Sequence, residues 1–326
     1  MGVIEPLPGF DYRTTQQSRV YKFDRKYFMT MGISRTTINN IVHIDCNYLS
    51  RIETRRRLPA VRPEILACYP DAEPAVRELY TYLVQIFLPE RYPTIFVQSW
   101  NSQTLENKIT GDGLPFTCPR DILQALQLLN AHVDDDFLFT LPSKRTDGAE
   151  GEEFFLRALV WAFPNRSEPS KRIGRSMKAL HVRVPKYAEK LDVSMDRYFS
   201  RLETGQVVVR SNWGVSIKAS QTSSQLTDAD YLSEPSGDVS IDKIFVRCEL
   251  QTLFKLPASG ARVLSIHEYV YPLQDIIDDG QAQAMLEAID GLKKGNVPEI
   301  WNYKRASTWS DQVKKLLNEA LAKEID

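Results

Sequence analysis

Stretches of helical and of alternating periodicity follow one another along the chain in an order that sets its fold class. From Pro74 the apolar positions Val76, Leu79, Tyr80, Leu83, Val84 and Phe87 fall on one stripe, which predicts a helix opened by Pro74 and ended by Pro89. A second stripe, Ile122, Leu123, Leu126 and Leu129, predicts a helix that starts near Pro119 or Asp121 and stops before the acidic run Asp134-Asp135-Asp136. Residues 137–141 read as a strand, 143–153 as a charged loop, and 154–163 as a dense apolar and aromatic strand where the core begins. Tyr187, Leu191, Met195, Tyr198 and Leu202 predict one amphipathic helix between Pro185 and Glu203, lying after a strand.

Strand signals then dominate. Residues 206–217, 244–254 and 262–271 are rich in Val, Ile, Phe and Tyr, and the polar loop 218–242 separates the first two. Helical spacing returns at 282–292 and at 311–323, where Val313, Leu316, Leu317 and Leu321 share a stripe. Strands joined by turns or polar loops pair antiparallel, so the expected class is α+β with a central sheet. Residues 1–30, polar and aromatic with several turn formers, read as an extended arm, and 31–326 as one domain.

Composition narrows the partners. Forty-one Lys and Arg against 42 Asp and Glu leave a net charge of −1, which gives no field to draw nucleic acid or anionic membrane. The four cysteines, Cys46, Cys68, Cys118 and Cys248, form no closely spaced pair, so no zinc or iron-sulfur ligation pattern is present and all read as reduced thiols. No apolar run is long enough to span a bilayer and the start lacks a secretory pattern; Pro6 breaks the myristoylation motif, and the Asn165-Arg166-Ser167 sequon is then irrelevant. The expectation is a cytoplasmic protein without a membrane partner.

P-loop, dinucleotide and nucleophile-elbow signatures are absent, which leaves the four histidines as the short list for imidazole chemistry. His181 stands at an element junction, shortly after the basic cluster Lys171, Arg172 and Arg175; it reads either as a ligand or base, or as a histidine held by a backbone carbonyl. His267 alternates onto one strand face with Ser265, Tyr269 and Tyr271, as a polar pocket wall or an ordinary sheet histidine, while His43 and His132 read as structural. Arg247, Glu249 and Gln251 share one face of an otherwise apolar strand, either at a solvated edge or lining a cavity. Arg210 ends a strand that runs into Asn212 and Trp213; it is a surface Arg or the partner of a carboxylate such as a haem propionate. Arg55-Arg56-Arg57 reads as a solvated helix face.

Taken in order, several short blocks resemble the haem-dependent oxidative N-demethylase family from about Met31 to Lys304. They are Met31-Gly32-Ile33, Ile44-Asp45, Tyr48-Leu49, Arg56-Arg57-Leu58 and Pro89-Glu90-Arg91-Tyr92-Pro93, then Pro164, Ile173-Gly174-Arg175, and His181 with Val184-Pro185. Arg210-Ser211-Asn212-Trp213 follows, with Arg247, Glu249, Gln251-Thr252-Leu253, Leu256-Pro257, Ser259-Gly260-Ala261, Tyr269-Val270-Tyr271-Pro272-Leu273 and Tyr303-Lys304.

The resemblance implies a PAS-like antiparallel sheet holding b-type haem, whose iron uses oxygen to oxidise an N-methyl group of a small amine and release formaldehyde. It implies His181 as the iron ligand; Arg172, Arg175 and Arg210 are then candidates for the haem propionates by their charge alone, Asn212 and Trp213 are further candidate cofactor contacts, and Arg247, Glu249, Gln251 and His267 are candidates for the reacting centre. Electrons come in such enzymes from a separate reductase with flavin and an iron-sulfur centre, for which this chain has no motif.

Leu250 stands where the family usually has Arg, His267-Glu268 where it has a basic residue and Thr, and Arg172 where Lys is commoner. If these positions line the pocket, a larger amine is expected; loss of the Arg alternatively marks a non-catalytic PAS-like haem or small-ligand binding protein. A third reading, thiolate ligation by Cys248, is disfavoured because Cys248 alternates away from Arg247 and Glu249.

Overall fold

The computed structural model describes residues 1–145, 151–164, 167–217 and 239–323. Its centre is a seven-stranded sheet in the order β1-β8-β9-β10-β6-β7-β2, and every neighbouring pair is antiparallel. The strands are β1 (Ser34–Thr36), β2 (Leu66–Cys68), β6 (Asp136–Lys144), β7 (Glu152–Val160), β8 (Val207–Ile217), β9 (Ile244–Lys255) and β10 (Arg262–Pro272). A small three-stranded sheet, β3 (Phe96–Ser99), β4 (Thr104–Asn107) and β5 (Asp112–Pro115), stands apart. The class is α+β, as expected, and no helix among the described residues is long and apolar enough to cross a membrane.

Both faces of the large sheet are covered, and strict alternation assigns each side chain to one of them. On the back, Phe137, Phe139, Val207, Phe254 and Val263 join a core built with helices α1 (Tyr48–Val61), α2 (Glu73–Tyr82) and α4 (Ile122–His132). Further along the same face Val246, Cys248, Tyr269 and Tyr271 pack under the C-terminal helices Ala282–Gly291 and Ala306–Lys323. On the front, Val208, Leu253 and Leu264 face short helices α5 (Met177–Leu180), α6 (Tyr187–Lys190) and α7 (Asp192–Arg201).

Residues 1–30 contain no helix or strand; they pack on the two back-face cores, and their end reaches the front cavity. Ile4, Leu7, Phe10 and Tyr12 pack on the first core and Val20, Tyr21, Phe23 and Tyr27 on the second. Gly291 and Gly295 let the arm's backbone come close: a Cβ at Gly291 would lie 2.6 Å from the carbonyl oxygen of Arg25, and one at Gly295 would collide with that of Tyr27.

Two proline positions depart from simple expectation. Pro89 does not end its helix; a π-turn (Leu83–Phe87) leads into α3 (Leu88–Arg91), and the carbonyl of Gln85, left without a donor by Pro89, accepts from the Gln98 side chain at 2.9 Å. Pro59 sits inside α1, where the freed carbonyl of Arg55 accepts from Asn130 Nδ2 at 2.7 Å. Other boundaries also moved. The expected 185–203 helix is two helices broken at Leu191, preceded by helix α5 and not by a strand, because Ser176 caps a short turn there. Strands β6 and β7 extend into the expected 143–153 loop. The sequon at Asn165-Arg166 and most of the 218–242 loop lie outside the described residues.

Arg55 corrects the reading of the Arg triplet as a solvated face. It is fully buried, donates to Asp136 Oδ1 and to the carbonyl of Asp135, both at 2.8 Å, and lies over the Phe163 ring. Arg51, one turn earlier, holds Asp134 through Nε and stacks on the same ring. Arg57 alone of the triplet is exposed, its Nε donating to the carbonyl of Glu53, whereas Arg56 binds Asp112 and the carbonyl of Ala131.

Candidate functional site

The front face of the sheet and helices α5 to α7 enclose a cavity of about 710 Å³, a volume that accommodates a cofactor with a small substrate. Strand register divides its floor into two patches. Val208, Leu253, Leu264 and Leu138 lie side by side on β8, β9, β10 and β6 and give an apolar patch. One step along the strands, Arg210 pairs with Gln251, and beyond it Asn212 pairs with Glu249, so four polar residues adjoin. Met177, Leu180, Val184 and Leu191 from the α5–α7 region complete an apolar roof.

His181 lines this cavity at the C-terminal end of α5. Its Nδ1–H donates to the carbonyl of Met177 at 2.8 Å, and its ring stacks on Tyr187 with centroids 4.4 Å apart and planes 9° from parallel. With the proton on Nδ1, Nε2 carries the lone pair, which is the tautomer a metal ligand needs. Burial, reinforced by Arg210 and Arg172, lowers its pKa against the opposing Met177 carbonyl, so the imidazole is neutral. Of the two readings of His181 from the sequence, the structure shows the histidine held by a backbone carbonyl, through Nδ1.

Around it, Arg172 donates to the carbonyl of Leu180 at 2.8 Å, and the buried Nε of Arg210 has no hydrogen-bond partner. Gln251 Nε2 donates to Glu249 Oε2 at 2.9 Å, which orients the carboxylate and leaves it free lone pairs. Lys304 Nζ donates to Asn212 Oδ1 at 3.1 Å and to the carbonyl of Trp213. The β9 strand that carries Glu249 and Gln251 lies inside the sheet, which removes the solvated-edge reading.

Trp213 also borders the cavity, while its ring packs edge-on against Phe23 and Trp309. The remaining sequence candidates lie elsewhere. Arg175 is exposed and does not line the cavity. Arg247 shares the front face but is buried in an ion pair with Glu268, outside the lining. His267 and Leu250 pair across β10 and β9 on the back face. The charge lost at Leu250 is therefore not lost from this cavity, whereas Arg172, another of the departures from the family pattern, does line it. Cys248 is likewise a buried back-face thiol, its pKa pushed up to about 12 mainly by burial.

Sequence reasoning missed the arm's share of the cavity, Tyr27, Met29 and Thr30, because an irregular segment has no periodicity to read. It also missed Tyr187 and Tyr198, whose buried hydroxyls have no hydrogen-bond partner and border the same space.

No curated protein matches the chain. The profile of one family, described as haem-dependent oxidative N-demethylase, alpha subunit-like, matches residues 32–314, a span that holds every strand of the large sheet and all of α5 to α7. On that match, the chain belongs to the haem-dependent oxidative N-demethylase alpha subunit-like family.

Proposed function

We propose that the protein is a haem-binding oxygenase component that demethylates an amine, with b-type haem in the front cavity of a PAS-like sheet and His181 as its iron ligand. The observation that carries this reading is the His181 imidazole, neutral and fixed by Met177 with Nε2 left for a metal. The lining fits the group. Apolar side chains flank the space for a macrocycle, and Arg210, with its unpartnered buried Nε, and Arg172 supply cations for two propionates.

Bound here, haem would supply the oxygen activation that oxidises an N-methyl carbon, with formaldehyde and the demethylated amine as products. The chain's own residues bind and orient the substrate. Glu249, held by Gln251, is the anion on the cavity wall; it accepts an N–H of the cationic amine and aims the methyl carbon into the cavity. The apolar roof excludes water from that carbon. Electrons come from a separate flavin and iron-sulfur reductase.

Absorption spectra of the wild type and His181→Ala, purified after expression with haem supply and recorded with dithionite and carbon monoxide, test the assignment. A Soret band in the wild type that is lost or reshaped in the variant is expected. A wild type without haem, or an unchanged spectrum in His181→Ala, overturns it.

A further inference from the structure

We propose that the back face of the sheet carries a second site, for a divalent first-row transition-metal ion, with His43, Asp135 and His267 as its protein ligands. The three come from separate segments: the turn before α1, the residue ahead of β6, and the middle of β10. One donor atom of each lies within 4.8 Å of the other two. Asp135 sets the geometry. Its Oδ2 accepts the main-chain N–H of His43 at 2.9 Å, and Oδ1 lies 3.4 Å from Nδ1 of His43 and 3.4 Å from Nδ1 of His267.

Those separations are long for hydrogen bonds between charged groups, which run at about 2.7–2.9 Å. They match the edge of a tetrahedron: ligands about 2.0–2.1 Å from a zinc ion lie roughly 3.3–3.5 Å from one another. His267 is 1% exposed and neither ring nitrogen makes a hydrogen bond, although such nitrogens are costly to leave unsatisfied. Nδ1 faces Asp135, while Nε2 faces Oδ2 of Asp45 at 3.8 Å; Asp45 is anchored in turn by the N–H of Asn47. A carboxylate behind the far nitrogen of a ligating histidine is the arrangement that fixes its tautomer.

The local charge asks for a cation. Asp134 is neutralised by Arg51, which leaves Asp135 and Asp45, both buried, around His267. A dication with two neutral imidazoles balances two carboxylates. His43, with its side chain 16% exposed, gives the ion a route from solvent, and three protein donors leave a coordination position for water.

Zinc is the probe. The full-length haem-loaded protein is stripped with chelator, dialysed against Zn²⁺, and measured for zinc content and for the midpoint of thermal unfolding. One zinc per chain and a midpoint that rises with Zn²⁺ are expected. His267→Arg keeps a cation facing the carboxylates but offers no ligand, and His43→Ala removes the half-buried one. Both should lose zinc with the Soret band unchanged. Asp45→Asn, which alters only the outer carboxylate, should weaken binding about 10–100-fold. Absence of zinc uptake by the wild type, or zinc retained in either histidine variant, overturns the site.

Discussion

Removing the Arg55 side chain should destabilise the protein more than any single change on its surface. Arg55 is fully buried, and it makes three hydrogen bonds: to Asp136 Oδ1 at 2.8 Å, to the carbonyl of Asp135 at 2.8 Å and to that of Asn130 at 3.3 Å. Arg55→Met keeps most of the stem's volume and leaves a carboxylate without its cation, a loss that typically costs about 3–5 kcal/mol. Asp136 also accepts the main-chain N–H groups of Ala162 and Phe163, at 2.9 and 3.1 Å, so part of its charge stays solvated by donors. The expected cost therefore sits near the lower end, at about 3 kcal/mol. Urea unfolding followed by tryptophan fluorescence measures it; with a slope of about 3 kcal/mol per molar, the midpoint falls by about 1 M. Asp136→Asn should also destabilise, and the double variant should cost less than the sum of the two, by about 1–3 kcal/mol, because one removed charge relieves the other. Arg55→Met within about 1 kcal/mol of the wild type would refute the claim that this pair holds α1 to the sheet.

Three further outcomes follow from the same structure. Glu249→Gln should lower kcat/KM for the amine about 30–150-fold with the Soret band intact, since a hydrogen bond to a charged group contributes about 2–3 kcal/mol; equal turnover in the variant removes Glu249 from the substrate's contacts. His132 is buried beside Asn107, and burial pushes its pKa down to about 4. A folded pKa below the unfolded value gives stability that is present above pH ~6.5 and lost as pH falls towards 4, by up to about 3 kcal/mol. His132→Gln should show a shallower acid loss in equilibrium unfolding, and parallel pH curves count against the assignment. Gly291→Ala should force the arm off the Ala282–Gly291 helix, since the added Cβ would meet the Arg25 carbonyl at 2.6 Å; faster proteolysis within residues 1–30 is the readout.

The outline of this fold was legible where one physical signal dominated. Strands β8 to β10 alternate cleanly or carry unbroken β-branched and aromatic runs, and their expected spans differ from the observed ones by a residue or so. The small sheet β3–β5 was not legible, because strands of four residues are shorter than any window in which a period can be measured.

The site divides in the same way. That Arg247, Glu249 and Gln251 share a face follows from alternation, but whether the face looks at water or at a cavity depends on which strands flank it, and pairing order is a property of the whole chain. His267 shows the limit most clearly. Alternation put it on a face with Ser265, Tyr269 and Tyr271, where it is; only the register of β10 against β9 and β6 reveals that this face is opposite the His181 cavity and beside Asp135. Asp134, Asp135 and Asp136 then look alike in sequence and separate in space. Asp136, a front-face residue by its pairing with Ile266, takes Arg55; Asp134 takes Arg51; Asp135 takes two histidines that lie 224 residues apart. Three adjacent carboxylates can be buried together because each meets different partners, two of them an arginine and the third an imidazole cluster on the face opposite the His181 cavity.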